Sequence, residues 1–109
     1  VPDSARIMRE EPFGAVAAMQ PFDTLDEVVA KANALPYGLA AYVFSRSAAT
    51  LRQMTERLEV GLVGLNGCNI AAAETPFGGV KESGYGSEGG SEGVEGYLVT
   101  KFVSEVAAD

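Results

Sequence analysis

The 109-residue chain has no histidine, no tryptophan and a single cysteine, Cys68. Each absence closes a class of chemistry. Without histidine these residues supply neither a Ser-His nor a Cys-His pair, and no Cys/His zinc site. A lone cysteine forms no intrachain disulfide, which favours a cytoplasmic setting. Basic residues are scarce: 8 Lys and Arg stand against 15 Asp and Glu, a formal charge of −7. Nucleic acid and anionic membrane surfaces both require clustered cations, so neither is expected as a partner. No apolar run approaches the ~18 residues of a membrane span. The opening VPDSARIMREE has no secretory-signal pattern and no initiator methionine, so a trimmed chain without a leader is expected.

What is present is hydrophobic patterning. Apolar residues make up 47% of the chain, enough to fill a core. The length suits one domain. Pro12 predicts the end of a helix through residues 7–11. AVAAMQ, residues 15–20, reads as a short buried strand. Thr24 and Glu27 have capping-box spacing. Leu25, Val28, Val29 and Ala32 then mark one face of a helix that exits at Pro36 and Gly38. LAAYVF, residues 39–44, is a continuous apolar run of strand length. Ser47 is the expected N-cap of a helix over 48–59, with Leu51, Met54 and Leu58 facing inward and Gly61 at a left-handed C-cap. Leu62 to Leu65 form a third strand. The alternation predicts an α/β fold with a partial parallel sheet and flanking helices. Residues 67–90 read as loop, 91–98 as a short helix and LVTKFVSEV, 98–106, as a final strand. Three well-supported strands leave open sheet edges, which need cover from more chain or another subunit.

The motifs give mixed signals. Gly84, Gly86 and Gly89 spell GxGxxG, the letters of a dinucleotide-binding turn. That turn must follow a strand, open a helix and have an acidic partner about 20 residues on. PFGGVKES before it is not strand-like, and 20 residues after Gly89 leave no room for the rest. Tight turns and close backbone contacts explain these glycines better. Lys81 lacks P-loop spacing and defaults to a surface lysine. Cys68 sits among Asn66, Gly67 and Asn69 with no cationic neighbour to stabilise a thiolate, so it reads as a small loop residue. Glu10 and Glu11 form either an acid/base pair or a solvated patch. PFG occurs at 12–14 and 76–78, and each Phe reads as a packing anchor.

Four blocks remain: EEPFG at 10–14, LPYGLAAYVFSR at 35–46, VGLN at 63–66 and PFGGVKESGYGSEGG at 76–90. In this order and near this spacing they resemble the C-terminal part of the NAD(P)-dependent aldehyde dehydrogenase superfamily, with its succinate-semialdehyde dehydrogenase-like branch the most similar. The resemblance implies that residues 1–97 are the C-terminal part of a catalytic domain. It implies that 98–109 are a tail strand that pairs with a neighbouring subunit in a homodimer or homotetramer. Glu11 matches a glutamate that hydrogen-bonds the nicotinamide ribose of NAD or NADP, a role that suits a carboxylate facing two hydroxyls. Phe13 matches an aromatic beside the nicotinamide. Phe77 matches a wall of the tunnel for a small aldehyde substrate, and Asn69, Ile70 and Ala71 lie in the loop at the tunnel mouth.

The nucleophilic cysteine, general base and oxyanion asparagine of that family have no matching motif here. None of these residues is therefore expected to be catalytic, and the 109 residues alone are expected to be inactive. The sequence also departs from the family pattern. Ala15 stands where many members have proline, Ser87 where many have arginine, and Ala71-Ala72-Ala73 offers no hydroxyl to a substrate carboxylate. Two other readings of the chain stay open: a stand-alone, non-catalytic assembly module, and a small nucleotide binder using GxGxxG.

Overall fold

The computed structural model describes residues 1–107. The last two residues of the expected tail, 108 and 109, lie outside the described residues. The element order is a short 3-10 turn (Arg6–Met8), α1 (Leu25–Ala32), β1 (Tyr37–Gly38), β2 (Ala40–Val43), α2 (Ala48–Arg57), β3 (Leu62–Leu65), β4 (Val80–Lys81) and α3 (Glu92–Glu95).

Both longer helices start where local chemistry requires. The Thr24 hydroxyl accepts from the Glu27 N–H at 3.2 Å, and the Ser47 hydroxyl from the Thr50 N–H at 3.2 Å. Each satisfies one donor that a helix N-terminus leaves unpaired. Glu27 returns its carboxylate to the Asp23 N–H at 2.9 Å, one residue before the cap, and pairs with Lys31 at 2.8 Å.

The parallel expectation holds for one strand pair. β2 and β3 run parallel in register Ala40↔Leu62 to Val43↔Leu65, joined by α2 as the crossover. Ala41 and Val43 pack with Val60 against a core of Val29, Met54 and Leu58, so both helices cover one face of this pair. Leu62 is buried as well. β1 pairs antiparallel with β4, Tyr37↔Lys81 and Gly38↔Val80; β1 lies at the expected helix exit and β4 inside the region read as loop. Asn33 ties the helix ends together. Its side-chain amide donates to the Arg57 carbonyl at 2.9 Å and accepts from the Glu59 N–H at 3.0 Å.

Four local expectations are corrected. Residues 15–20 form no strand; they run unpaired, with Met19 79% exposed, because no neighbouring strand meets their N–H and C=O groups among the described residues. Residues 7–11 hold only the 3-10 turn before Pro12. Residues 98–106 likewise form no strand, and Val99 and Phe102 are 92% and 88% exposed. Gly61 has no positive φ, and α2 ends earlier, at Leu58 in extended geometry.

The chain is less compact than its length suggests. The accessible surface is 8780 Å² and the radius of gyration 19.5 Å. A compact folded chain of this mass would show about 5,700 Å² and about 13 Å. Residues at both ends extend away from the small core, leaving apolar surface that needs cover. No helix among the described residues is long and apolar enough to cross a membrane.

The Glu27 cap has a pH signature. The Asp23 N–H, followed by the Lys31 ammonium, holds its carboxyl below the usual carboxylate range. A lowered folded-state pKa means stability that is present at neutral pH and lost as pH falls through that lowered value. Glu27→Gln is therefore expected to lower the urea midpoint at neutral pH and to cost progressively less in acid. A midpoint difference that does not change with pH would contradict the capping role.

Candidate functional site

Three concavities are lined by the cofactor and substrate residues singled out by sequence, except Phe13, which lines none of them. The largest, about 860 Å³, lies between the 3-10 turn and the β1–β2 segment, with Glu10, Glu11 and Pro12 on its rim and Leu35, Tyr37 and Leu58 among its lining. The two adjacent glutamates have different fates. Glu10 is taken by Arg6 at 2.6 Å. Glu11 is exposed and joins no ion pair among the described residues. An ionised carboxylate accepts through two oxygens, and both stay available here. Phe13, two residues on, is 97% exposed, its ring presented for packing rather than packed. Pro12 and Gly14 flank it in a chain whose hydrogen bonds are local, Gly14 N–H to Pro12 O and Val16 N–H to Gly14 O. The chain thus presents a free bidentate acceptor and, two residues on, an uncovered ring.

Asn69, Ile70 and Ala71 line a second concavity of about 370 Å³, with Leu62, Gly64 and Pro76. They begin four residues after the end of β3. The loop beyond them is closed by Thr75, whose hydroxyl donates to the Ala72 carbonyl at 3.1 Å and accepts from the Ala72 N–H at 3.3 Å. Phe77 is half-buried and lines a third concavity of about 460 Å³ with Leu39, Gly78 and Ser83. The residues assigned to one tunnel thus divide between two adjoining hollows, separated at the Pro76–Phe77 step.

The Phe77 loop is braced at three points. Phe77 and Glu88 exchange two backbone hydrogen bonds of 2.7 Å, closing the loop at its neck. The Ser83 hydroxyl accepts from the Gly38 N–H at 2.8 Å, and the Glu82 N–H donates to the Pro36 carbonyl at 2.8 Å. Lys81 supplies the third brace. Its ammonium pairs with Glu59 and donates to the Asn33 and Leu35 carbonyls at 3.2 and 3.4 Å. The surface-lysine reading is therefore revised: Lys81 ties the loop to the C-terminal end of α1, where a cation is favoured.

Two polar residues went unnoticed in the sequence. Asn66 has φ +52°, and its side chain accepts from the Ser45 N–H at 2.8 Å and donates to the Ser45 carbonyl at 3.0 Å. It extends the β2–β3 pairing by one residue through an amide side chain. The available signal was an asparagine before glycine just past an apolar strand, which marks the left-handed conformation. Ser83 had no such signal. The GxGxxG glycines sit at φ +129°, +77° and +69°; only the two-residue β4, inside the PFGGVKES stretch expected not to be strand-like, precedes them, and only the four-residue α3 follows. They are turn residues. Cys68 is exposed on the loop after Asn66.

Comparison with known proteins bears on the family. Residues 1–103 match the aldehyde dehydrogenase family. The chain is 55% identical over 107 residues to the 4-(hydroxymethyl)benzenesulfonate dehydrogenase of Comamonas testosteroni, covering 98% of this chain and 22% of that protein. It is 46% identical over 104 residues to the NADP(+) succinate-semialdehyde dehydrogenase of Saccharomyces cerevisiae, covering 95% and 21%. The solved aldehyde dehydrogenase of Brucella melitensis biovar abortus superposes with a TM-score of 0.91 at 43% identity, covering 94% of this chain and 21% of that one. The betaine aldehyde dehydrogenase of Staphylococcus aureus in complex with NAD+ superposes with a TM-score of 0.88 at 40% identity, covering 93% and 20%. The chain thus spans about a fifth of the length of the relatives it matches.

The Lys81 brace is open to direct test. Lys81→Met removes a partly buried cation and leaves two carbonyls short of a donor, and is expected to cost about 1–2 kcal/mol. Arg52→Met, on the exposed face of α2, is expected to stay within about 0.5 kcal/mol. Equal urea midpoints for the two variants would contradict the brace.

Proposed function

The chain belongs to the aldehyde dehydrogenase family, and we propose that it forms the nicotinamide-side contact and part of the substrate wall of an enzyme that oxidises a small aldehyde to a carboxylic acid. The balanced reaction takes one aldehyde, one NAD(P)+ and one water to one carboxylic acid, one NAD(P)H and one proton. The observation that carries the reading is the family match over residues 1–103. When bound, the nicotinamide supplies the acceptor for the aldehydic hydride.

Each residue's role follows from its chemistry. Glu11 accepts hydrogen bonds from the ribose hydroxyls and limits rotation of the ring attached to that ribose. Phe13 supplies an apolar face that restricts the same ring laterally. Phe77 and the Asn69–Ala71 loop shape the path of the aldehyde and exclude water from it. Nucleophile and general base are assigned to sequence outside these 109 residues, and Cys68 is given no part in the chemistry. Semialdehydes are the substrate class to test first, on the names of the similar dehydrogenases. The run Ala71–Ala73 offers no hydroxyl, so holding a substrate carboxylate is assigned to other groups. The exposed apolar residues of 98–106 are assigned to pairing with a neighbouring subunit, which answers their lack of partners among the described residues.

Glu11→Gln in the full-length enzyme tests the cofactor contact. It keeps the shape and removes the charge, and is expected to lower kcat/KM for the cofactor about tenfold. The aldehyde KM is expected to change little. Unchanged steady-state and single-turnover kinetics would contradict the assignment.

A further inference from the structure

Asn66 and Gly67 form the only Asn-Gly pair in the chain; Asn33 precedes Ala34 and Asn69 precedes Ile70. In such a pair the glycine N–H has no side chain beside it to shield it from the neighbouring carboxamide. Among the described residues, no hydrogen bond occupies the Gly67 N–H. The structure holds the matching electrophile in check. Both polar atoms of the Asn66 amide are engaged by the backbone of Ser45, and the Asn66 N–H donates to the Val43 carbonyl at 2.8 Å. For the Gly67 nitrogen to reach Cγ, the amide has to leave Ser45 and rotate toward its own C-terminal neighbour.

The geometry points to Asn66 as a deamidation site gated by opening of the β2–β3 end. The Gly67 nitrogen bonds to Cγ of Asn66 and the Cγ–Nδ2 bond breaks. The proton lost from the Gly67 nitrogen leaves with Nδ2 as ammonia. Solvent water then adds across either C–N bond of the cyclic imide, giving aspartate or isoaspartate with a net gain of about 1 Da. Nothing is oxidised or reduced.

The product no longer fits its place. A carboxylate has no donor to offer the Ser45 carbonyl, so two acceptors face each other where a hydrogen bond stood. In the isoaspartate form an extra backbone methylene also shifts the chain leading to Asn69, Ile70 and Ala71. The effect on a substrate wall rests on the proposed function, but the chemistry of Asn66 does not. A mass measurement therefore separates failure of one from failure of the other.

The test is peptide mapping of the full-length protein aged in mildly alkaline buffer, once folded and once unfolded in urea. Tandem mass spectrometry of the tryptic peptide 58–81 distinguishes Asn66 from Asn69. Asn66 is expected to gain mass first in both arms. It is expected to be slower in the folded arm by on the order of thirtyfold, the factor for breaking two ordinary hydrogen bonds. Gly67→Ala is sterically tolerated, since an added Cβ comes no nearer than 3.9 Å to its surroundings. It is expected to slow the reaction in the unfolded arm. Equal folded and unfolded rates would overturn the gate. Absence of modification at Asn66 in urea, or an unaffected rate in Gly67→Ala, would overturn the site.

Discussion

The Phe77 loop lies against the start of β3 at a point where only hydrogen fits. A Cβ built on Gly61 would overlap the Gly78 carbonyl oxygen, with Cα of Gly79 immediately behind it. Two backbones in contact cannot separate by a side-chain rotation, so this contact sets the loop's height over the sheet. The other braces follow from it. With the loop seated there, β4 reaches β1, Ser83 reaches the Gly38 N–H, and Lys81 reaches Glu59 and the end of α1. Gly78 and Gly79 line the Phe77 hollow, and Gly61 lines the Asn69–Ala71 hollow.

The cofactor-side residues depend on this scaffold less directly. Glu11 and Phe13 sit on a chain with few long-range hydrogen bonds, beyond the small core of Val29, Met54, Leu58 and Leu62. Their exposure, and that of residues 98–106, matches a chain spanning a fifth of the length of its relatives. Surface of this kind acquires meaning only when covered. Glu11 is the clearest case: its neighbour Glu10 is already neutralised by Arg6, whereas Glu11 keeps its full acceptor capacity.

Legibility in the sequence divided along the range of the forces involved. Helices α1 and α2 were legible because their caps and apolar faces are encoded within one or two turns. The β2–β3 pair was legible because apolar runs flanking an amphipathic helix have few other solutions. The strands expected at 15–20 and 98–106 were not found, because a strand needs a partner and hydrophobicity alone does not supply one. Gly61 was located correctly and explained wrongly; helix-end chemistry suggested positive φ, whereas a loop arriving from Gly78 requires the missing side chain. Lys81 and Asn33 were invisible as braces because their partners lie up to 48 residues away. The roles proposed for Glu11, Phe13 and Phe77 come from the family resemblance and not from local patterns, and the structure adds what keeps Phe77 in place.

The seating of the loop is tested most directly by two glycine substitutions compared in the full-length protein. Gly14 has nothing within 4 Å of an added Cβ, whereas Gly61 meets the Gly78 carbonyl. Gly14→Ala is expected to change the urea unfolding free energy by less than about 0.5 kcal/mol. Gly61→Ala is expected to lower it by about 2–3 kcal/mol, the cost of forcing packed backbone apart. Indistinguishable stabilities for the two variants would contradict the claim that this backbone contact seats the loop.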